Sequence, residues 1–279
     1  MKLIYSKKCE EYWSEGHPES PDRTRIIHEH LKEKGFSFTE PKQASDRDIL
    51  KAHSKSLIES IKNNSFFDYD TPNIENIYNY AKLSAGAAIT AAKLSKDEFA
   101  FSLMRPPGHH AGKNSLGGFC YLNNIAIAIK GLGERAAILD IDLHHGNGTQ
   151  DIFMRDKNVL YVSLHRGDIY PGTGHESIEN CINYPFYERV GEKEYLRTVD
   201  EAIKKIKEFN AKVIGISLGF DTYKKEFLAG DRGMNLELST YKEIAKRIKQ
   251  LEIPSFAVLE GGYHEDLGLC AEKFLEVWE

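Results

Sequence analysis

An α/β fold built on a parallel sheet is predicted by three features of this sequence. Short, near-continuous apolar runs recur at Phe99–Met104, Ala136–Asp142, Val159–Leu164, Val213–Leu218 and Phe256–Glu260. Runs of this kind are the pattern of strands covered on both faces. Helical stretches lie between them, at Tyr121–Lys130, about Lys193–Phe209 and Thr240–Leu251. Strand–helix alternation argues for a parallel sheet sandwiched by helices. Finally, each apolar run is followed by polar residues flanked by glycine, and in open parallel sheets ligands bind beyond the carboxyl ends of the strands.

In chain order, the N-terminal Met1-Lys2-Leu3-Ile4-Tyr5-Ser6-Lys7-Lys8 lacks the apolar run of a signal peptide and reads as a first strand. The run ending at Met104 is followed by Arg105-Pro106-Pro107-Gly108-His109-His110, a rigid turn expected to expose both imidazoles. The next run carries Asp140-Ile141-Asp142-Leu143-His144-His145-Gly146-Asn147-Gly148. Side chains alternate at period two along a strand, so Asp140, Asp142 and His144 are expected to share one face. After the third run come His165-Arg166-Gly167-Asp168, after the fourth Gly219-Phe220-Asp221, and after the fifth Glu260-Gly261-Gly262-Tyr263-His264. The last helix is expected to take its capping from Ser239–Glu243. No repeat or linker interrupts the pattern, so residues 1–279 are read as one domain.

Composition narrows the function classes. A net charge of −5 disfavours a general nucleic-acid binder. No stretch approaches 18 consecutive apolar residues, so no membrane span is expected. Cys9, Cys120, Cys181 and Cys270 are scattered, without a CxxC. They read as the reduced thiols of a cytoplasmic protein, and a cysteine zinc cluster is not expected.

Burying two carboxylates and an imidazole at one strand end costs several kcal/mol unless a charge compensates them, and a divalent metal is the obvious compensator. Asp142 and His144 can reach one ion, and Asp221 arrives from another strand end. Three protein ligands with an open position describe a catalytic zinc site. The oxygen-rich set also suits Fe(II) or Mn(II). Taken singly, either aspartate reads equally well as a helix cap or a salt-bridge partner. A neutral histidine of the 109–110 pair suits a general base near pH 7. Asp140 and Asn147 are placed to fix the tautomers of that pair. The Tyr263 hydroxyl, beside two glycines, can donate to a developing oxyanion. Phe119 and Tyr170, in Gly/Pro-rich loops, could line an apolar slot for a thin substrate chain or simply tuck into the core.

Together these residues resemble the histone deacetylase superfamily, which includes acetylpolyamine amidohydrolases and acetoin-utilisation-type proteins. The matching segments run from Gly16-His17-Pro18-Glu19-Ser20-Pro21-Asp22-Arg23 to Leu259-Glu260-Gly261-Gly262-Tyr263. The most specific are Arg105–His110, Gly117-Gly118-Phe119-Cys120-Tyr121-Leu122-Asn123-Asn124 and Asp140–Gln150. The resemblance implies an arginase/deacetylase-like three-layer sandwich, with a mainly parallel, eight-stranded sheet and helices on both faces. It implies a zinc-dependent deacetylase, with Asp142, His144 and Asp221 as zinc ligands. His110 is implied as general base, His109 as its electrostatic partner paired with Asp140, and Tyr263 as the residue that polarises the scissile carbonyl. Gly118, Phe119 and Tyr170 would line the acyl-lysine tunnel, with Leu228 at its mouth and Asp70 gripping substrate backbone at the rim. A potassium ion beside the zinc strand would involve Asp140, Asp142, His144, Ser163 and Leu164.

Departures from the family pattern narrow the branch. Asn147 stands where class I enzymes carry aspartate, as in class II-like and bacterial members, and Tyr263 is kept where a weakly active branch has histidine. The chain is short, and Leu228 rather than glutamate occupies the gatekeeper position. Acyl-lysine or small acylated amines are therefore favoured over acetylpolyamines alone. Other readings are an arginase-type ureohydrolase with binuclear manganese, for which further carboxylates are missing at 140–148, and a non-catalytic acyl-lysine binding module.

Overall fold

The computed structural model describes residues 1–278. Its centre is one eight-stranded sheet, every pairing of which is parallel. In chain order the strands are β1 (Lys2–Ile4), β2 (Phe38–Thr39), β3 (Ala100–Ser102), β4 (Ala136–Asp140), β5 (Val159–Arg166), β6 (Cys181–Phe186), β7 (Val213–Leu218) and β8 (Ser255–Leu259). In space they run β2-β1-β3-β8-β7-β4-β5-β6. The five apolar runs of the sequence are thus five adjacent strands, β3, β8, β7, β4 and β5, and every residue of each is buried.

The helices are α1 (Asp22–Glu33), α2 (Asp46–Ile49), α3 (Lys55–Lys62), α4 (Ile77–Leu94), α5 (Asn124–Leu132), α6 (Asn147–Phe153), α7 (Glu192–Phe209), α8 (Leu238–Lys249) and α9 (Leu267–Leu275). They form two layers. In one, α4 packs on β1, β3 and β8, with α5 beside it on β7. In the other, α7 covers β4 and β5, and α8, α9 and α1 continue from it. The two layers differ in how they pack. In α7 the buried Tyr195, Val199, Ala202 and Ile206 form one apolar stripe on an otherwise charged helix. In α4, buried alanines at 81, 85, 87, 88, 91 and 92 let the helix lie close to its neighbours.

Several expectations are corrected. The second predicted strand stops at Asp140, and Asp142 and His144 lie in the turn beyond it. Strand alternation therefore does not align them; the turn does. The N-terminal strand is limited to Lys2–Ile4 and is followed by a single helical turn at Lys7–Glu10. The helix expected at Tyr121 begins at Asn124, because the Asn123 side chain accepts the Ala126 N–H and caps it. The last predicted helix starts at Leu238, and its box is closed by the Glu237 N–H donating to Thr240 Oγ1 at 3.1 Å. Strands β2 and β6 and helices α1, α2, α3, α4, α6 and α9 were not anticipated.

Gly86, inside α4, shows how tightly one layer is built. A Cβ there would lie 1.8 Å from the Lys42 carbonyl oxygen and 2.8 Å from the Ala44 nitrogen. Replacing an interior helix glycine by alanine normally gains about 1 kcal/mol. Here Gly86→Ala is expected to lose about 1–3 kcal/mol, because the clash is with backbone. Urea unfolding measures it, and a raised midpoint would contradict the packing described.

Candidate active site

The carboxyl ends of β3, β8, β7 and β4 meet where the last two strands insert between the earlier ones. Four carboxylates are buried there: Asp140, Asp142, Asp221 and Glu260, each at most 1% exposed.

Asp142, His144 and Asp221 offer one ligand atom each, all within 4.8 Å of one another. His144 Nδ1 lies 3.2 Å from Asp142 Oδ1 and 3.1 Å from Asp221 Oδ2. The remaining carboxylate oxygens are held by backbone. Gly261 N–H donates to Asp142 Oδ2 at 2.6 Å, and Leu143 N–H to Asp221 Oδ1 at 2.9 Å. Gly219 and Gly261 sit against these carboxylates so closely that a Cβ would fall 2.3 Å and 2.6 Å from Asp142 Oδ2. Burial and the Asp142 charge push Asp221 up to about 7. Burial opposes ionisation of Asp142 as well, but the charges of His109 and His144 hold it well below the usual carboxylate range. Burial lowers His144, yet its bonds to both aspartates raise it to about 9. Two carboxylates held face to face with one imidazole suit a divalent cation, and three protein ligands leave it an open position.

The histidine pair lies against this cluster. The turn was expected to expose both rings, but His109 is 3% and His110 6% exposed. Gly108 packs on the Leu122–Asn124 backbone, and Gly118 and Tyr170 lie against the His110 ring. His109 Nδ1 is 3.1 Å from Asp140 Oδ2, which also accepts the Tyr161 hydroxyl at 2.9 Å. His110 Nδ1 is 2.8 Å from Asn147 Oδ1. Burial works against charge on both rings, with opposite net results. Asp142, Asp140 and Glu260 raise His109 to about 10. For His110, the neighbouring His109 and His144 add to burial and push it well below its ordinary value. Next to a charged His109, therefore, His110 stays neutral.

The rest of the wall comes from the loops. A cavity of about 220 Å³ reaches the histidines and the ligand cluster from outside, with Phe119, Tyr170 and Tyr263 on its sides and Asp70 and Leu228 also lining it. Phe119 meets Tyr263 edge-on at 5.8 Å, and Tyr170 meets His110 at 5.0 Å. Gly118 must be glycine: its φ is +55°, and a Cβ would stand 2.5 Å from His110 Cδ2. Burial pushes the Tyr263 phenol well above its ordinary value, partly offset by Arg23, which lies 4.6 Å over its ring. Of the residues linked to a potassium ion, Asp140 and Ser163 face each other in the β4–β5 register, and Leu164 follows in β5.

Sequence reasoning assigned no role to four residues beneath the site. Glu260 Oε2 accepts Gly108 N–H at 2.7 Å and His109 N–H at 3.1 Å, and Oε1 accepts the Ser217 hydroxyl at 3.0 Å. Arg105, fully buried, donates to the Cys9, Tyr12 and Glu19 carbonyls and to the Glu19 carboxylate. Arg23 bridges Glu19 to the Gly262 carbonyl, 2.7 Å away, and to the Glu260 carbonyl. Apart from the Glu19–Arg23 pair, four residues apart, the only available signal was their place in the quoted segments, since their other partners, such as Glu19 for Arg105 and Gly262 for Arg23, are 86 and 239 residues distant in sequence.

A family model described as the histone deacetylase domain matches residues 17–278. A probable deacetylase of Archaeoglobus fulgidus is 37% identical over 279 aligned residues, covering 88% of this chain and 76% of its own. Acetylpolyamine amidohydrolase 1 of Pseudomonas aeruginosa is 38% identical over 231 residues, covering 76% of this chain and 66% of its own. Among solved structures, an acetylpolyamine aminohydrolase from Burkholderia pseudomallei has a TM-score of 0.89 at 28% identity, covering all of this chain and 98% of its own.

The raised His109 has a consequence for stability. Folded, it keeps its proton up to about pH 10; unfolded, only to about 6.5. Its contribution is therefore complete below 6.5 and is lost as pH rises through 10. In metal-free protein, the unfolding free energy should fall between pH 7 and 10, and fall less in Asp140→Asn. Urea titrations across that range check this; a flat or rising profile, or an equal fall in both proteins, would refute it.

Proposed function

The chain belongs to the histone deacetylase family, and on that premise we propose that it is a zinc-dependent amidohydrolase. It removes acetyl or other short acyl groups from acyl-lysine in proteins and peptides, or from related small acylated amines. The observation that carries this reading is the cavity that joins the Asp142–His144–Asp221 cluster, His110 and Tyr263 in one narrow space. We further assign residues 1–279 to a single catalytic domain. We assign the protein to the cytoplasm, in keeping with four buried, free cysteines.

The donor set fits zinc, with Fe(II) as an alternative occupant in the cell: two carboxylates and one imidazole converge, and their remaining carboxylate oxygens are fixed by backbone N–H groups. A zinc ion held there by Asp142, His144 and Asp221 would polarise the amide carbonyl as a Lewis acid and lower the pKa of water. The parallel register of Asp140 and Ser163 supports a potassium ion held there with Asp142, His144 and Leu164.

The protein's own groups do the rest. The acylated side chain enters between Phe119 and Tyr170, past Leu228, while Asp70 engages substrate backbone at the rim. His110 donates Nδ1–H to Asn147 Oδ1, which leaves Nε2 free as an acceptor. Being neutral, His110 takes a proton from the attacking water at Nε2 and later returns it to the departing nitrogen. His109, held charged by Asp140, lends positive potential while the oxyanion lasts. The Tyr263 hydroxyl donates to that oxyanion. The C–N bond breaks, and the products are a carboxylate and a free amine.

The relatives named acetylpolyamine amidohydrolases keep an acetylpolyamine substrate as the second reading. Leu228 at the mouth favours acyl-lysine, because an apolar side chain there offers a cationic amine no counter-charge.

Tyr263→Phe is expected to lower kcat about 10²-fold, the effect of losing one oxyanion donor. His110→Ala should abolish turnover yet retain metal. Chelation should remove activity, and one equivalent of zinc per chain should restore it. A panel of acetyl-lysine peptides, acetylpolyamines and longer acyl-lysines reads all three. Wild-type turnover in Tyr263→Phe would remove its assigned role, and two manganese ions per chain would favour a ureohydrolase.

A further inference from the structure

The loop after β7 carries Asp221 into the ligand cluster and then runs out to the cavity mouth at Phe227 and Leu228. Phe227 is 61% and Leu228 41% exposed, but Glu226, immediately before them, is 7% exposed. Among the described residues, Glu226 forms no ion pair. Its carboxylate is instead satisfied entirely by backbone. Oε1 accepts the N–H of Phe227 at 2.9 Å and of Leu228 at 3.0 Å, and Oε2 accepts the N–H of Tyr263 at 2.8 Å.

A carboxylate is an acceptor only, with an oxygen for each side of such a bridge. Buried without a cation, it costs several kcal/mol unless donors surround it. Here the donors belong to two separate segments, the mouth loop and the turn that presents Tyr263. We propose that Glu226 is a positioning residue that fixes both at once: it sets the backbone from which the Tyr263 hydroxyl reaches the cavity, and it seats Leu228 on the rim by the same carboxylate. The inference rests on the reading of Tyr263 as oxyanion donor for its catalytic consequence, but not for the link itself.

Glutamine at this position has one acceptor oxygen and one NH2 group. Glu226→Gln therefore keeps the shape but severs one side of the bridge, since its NH2 must face a backbone N–H. The test is a double-mutant cycle on acetyl-lysine peptide turnover with Glu226→Gln, Tyr263→Phe and the double variant. Glu226→Gln is expected to lower kcat about tenfold with a smaller change in KM, and to add less than about twofold in the Tyr263→Phe background, because groups acting as a unit are non-additive. Equal losses in both backgrounds, or an unchanged kcat, overturn the proposal. Amide hydrogen exchange over residues 226–229 and 261–264 reads the link without activity. It should rise about tenfold or more in Glu226→Gln at one segment or both. Unchanged protection overturns the link even where Tyr263→Phe turns out fully active, an outcome that would refute the role of Tyr263 instead. Glu226→Asp, which keeps both oxygens on a shorter arm, serves in the same cycle should the glutamine variant fold poorly.

Discussion

Four carboxylates buried at one edge of the sheet are the constraint on which the rest of the site depends. Asp140, Asp142, Asp221 and Glu260 come from the ends of β4, β7 and β8, and none keeps contact with bulk water. Each is satisfied differently. Asp140 has an imidazole and a phenol. Glu260 has two backbone N–H groups and a hydroxyl. Asp142 and Asp221 share one imidazole, and beyond it are held only by uncharged backbone N–H groups. That unequal division of counter-charge makes the last pair the best suited of the four to a cation. It also requires glycine at 219 and 261, where any side chain would strike the Asp142 carboxylate.

The same charges separate two adjacent histidines. His109 and His110 have rings 4.0 Å apart and similar burial. His109 faces three of the carboxylates and is pushed up to about 10. His110 faces a neutral amide, and burial together with the neighbouring imidazoles of His109 and His144 pushes it down. Pairs of titratable groups whose surroundings drive their pKa values apart are how a protein assigns acid and base roles. Here the division follows from which partner stands behind each ring, Asp140 or Asn147, and it is what supports the roles proposed for the two histidines.

What could be read from the sequence follows from how local each signal is. The five central strands were legible because burial on both faces makes them apolar throughout. Strand β2, two residues long, and strand β6, which alternates buried and half-buried positions at the edge, carry no such run. Helix α4 was missed because its alanines and glycine are buried all round and show no amphipathic stripe. Asp142, His144, Asp221 and Tyr263 could be singled out because they directly follow strands, and Gly118 and Phe119 because glycines flank them. Glu226 and Glu19 gave no local sign. A carboxylate whose partners are backbone N–H groups looks in sequence like any exposed glutamate, and so does one whose arginines lie four and 86 residues away, because an i,i+4 Glu–Arg pair is common on exposed helices.

The network beneath the site explains why so polar an edge can still be rigid. Arg105 leaves β3 and holds the carbonyls of Cys9, Tyr12 and Glu19, so the N-terminal segment is drawn under the cavity. Glu19 then holds Arg23 as well as Arg105. Arg23 in turn holds the carbonyls of Glu260 and Gly262 on either side of Gly261, whose N–H fixes Asp142. The Tyr263 turn is thereby held through its carbonyls by a guanidinium and through its N–H by Glu226. Removing one member of a buried ionic network leaves its partners unpaired, at about 3–5 kcal/mol. The chain from Arg105 to Asp142 is therefore a single unit, in which the N-terminal loop fixes the geometry around Asp142 although none of its side chains lines the cavity.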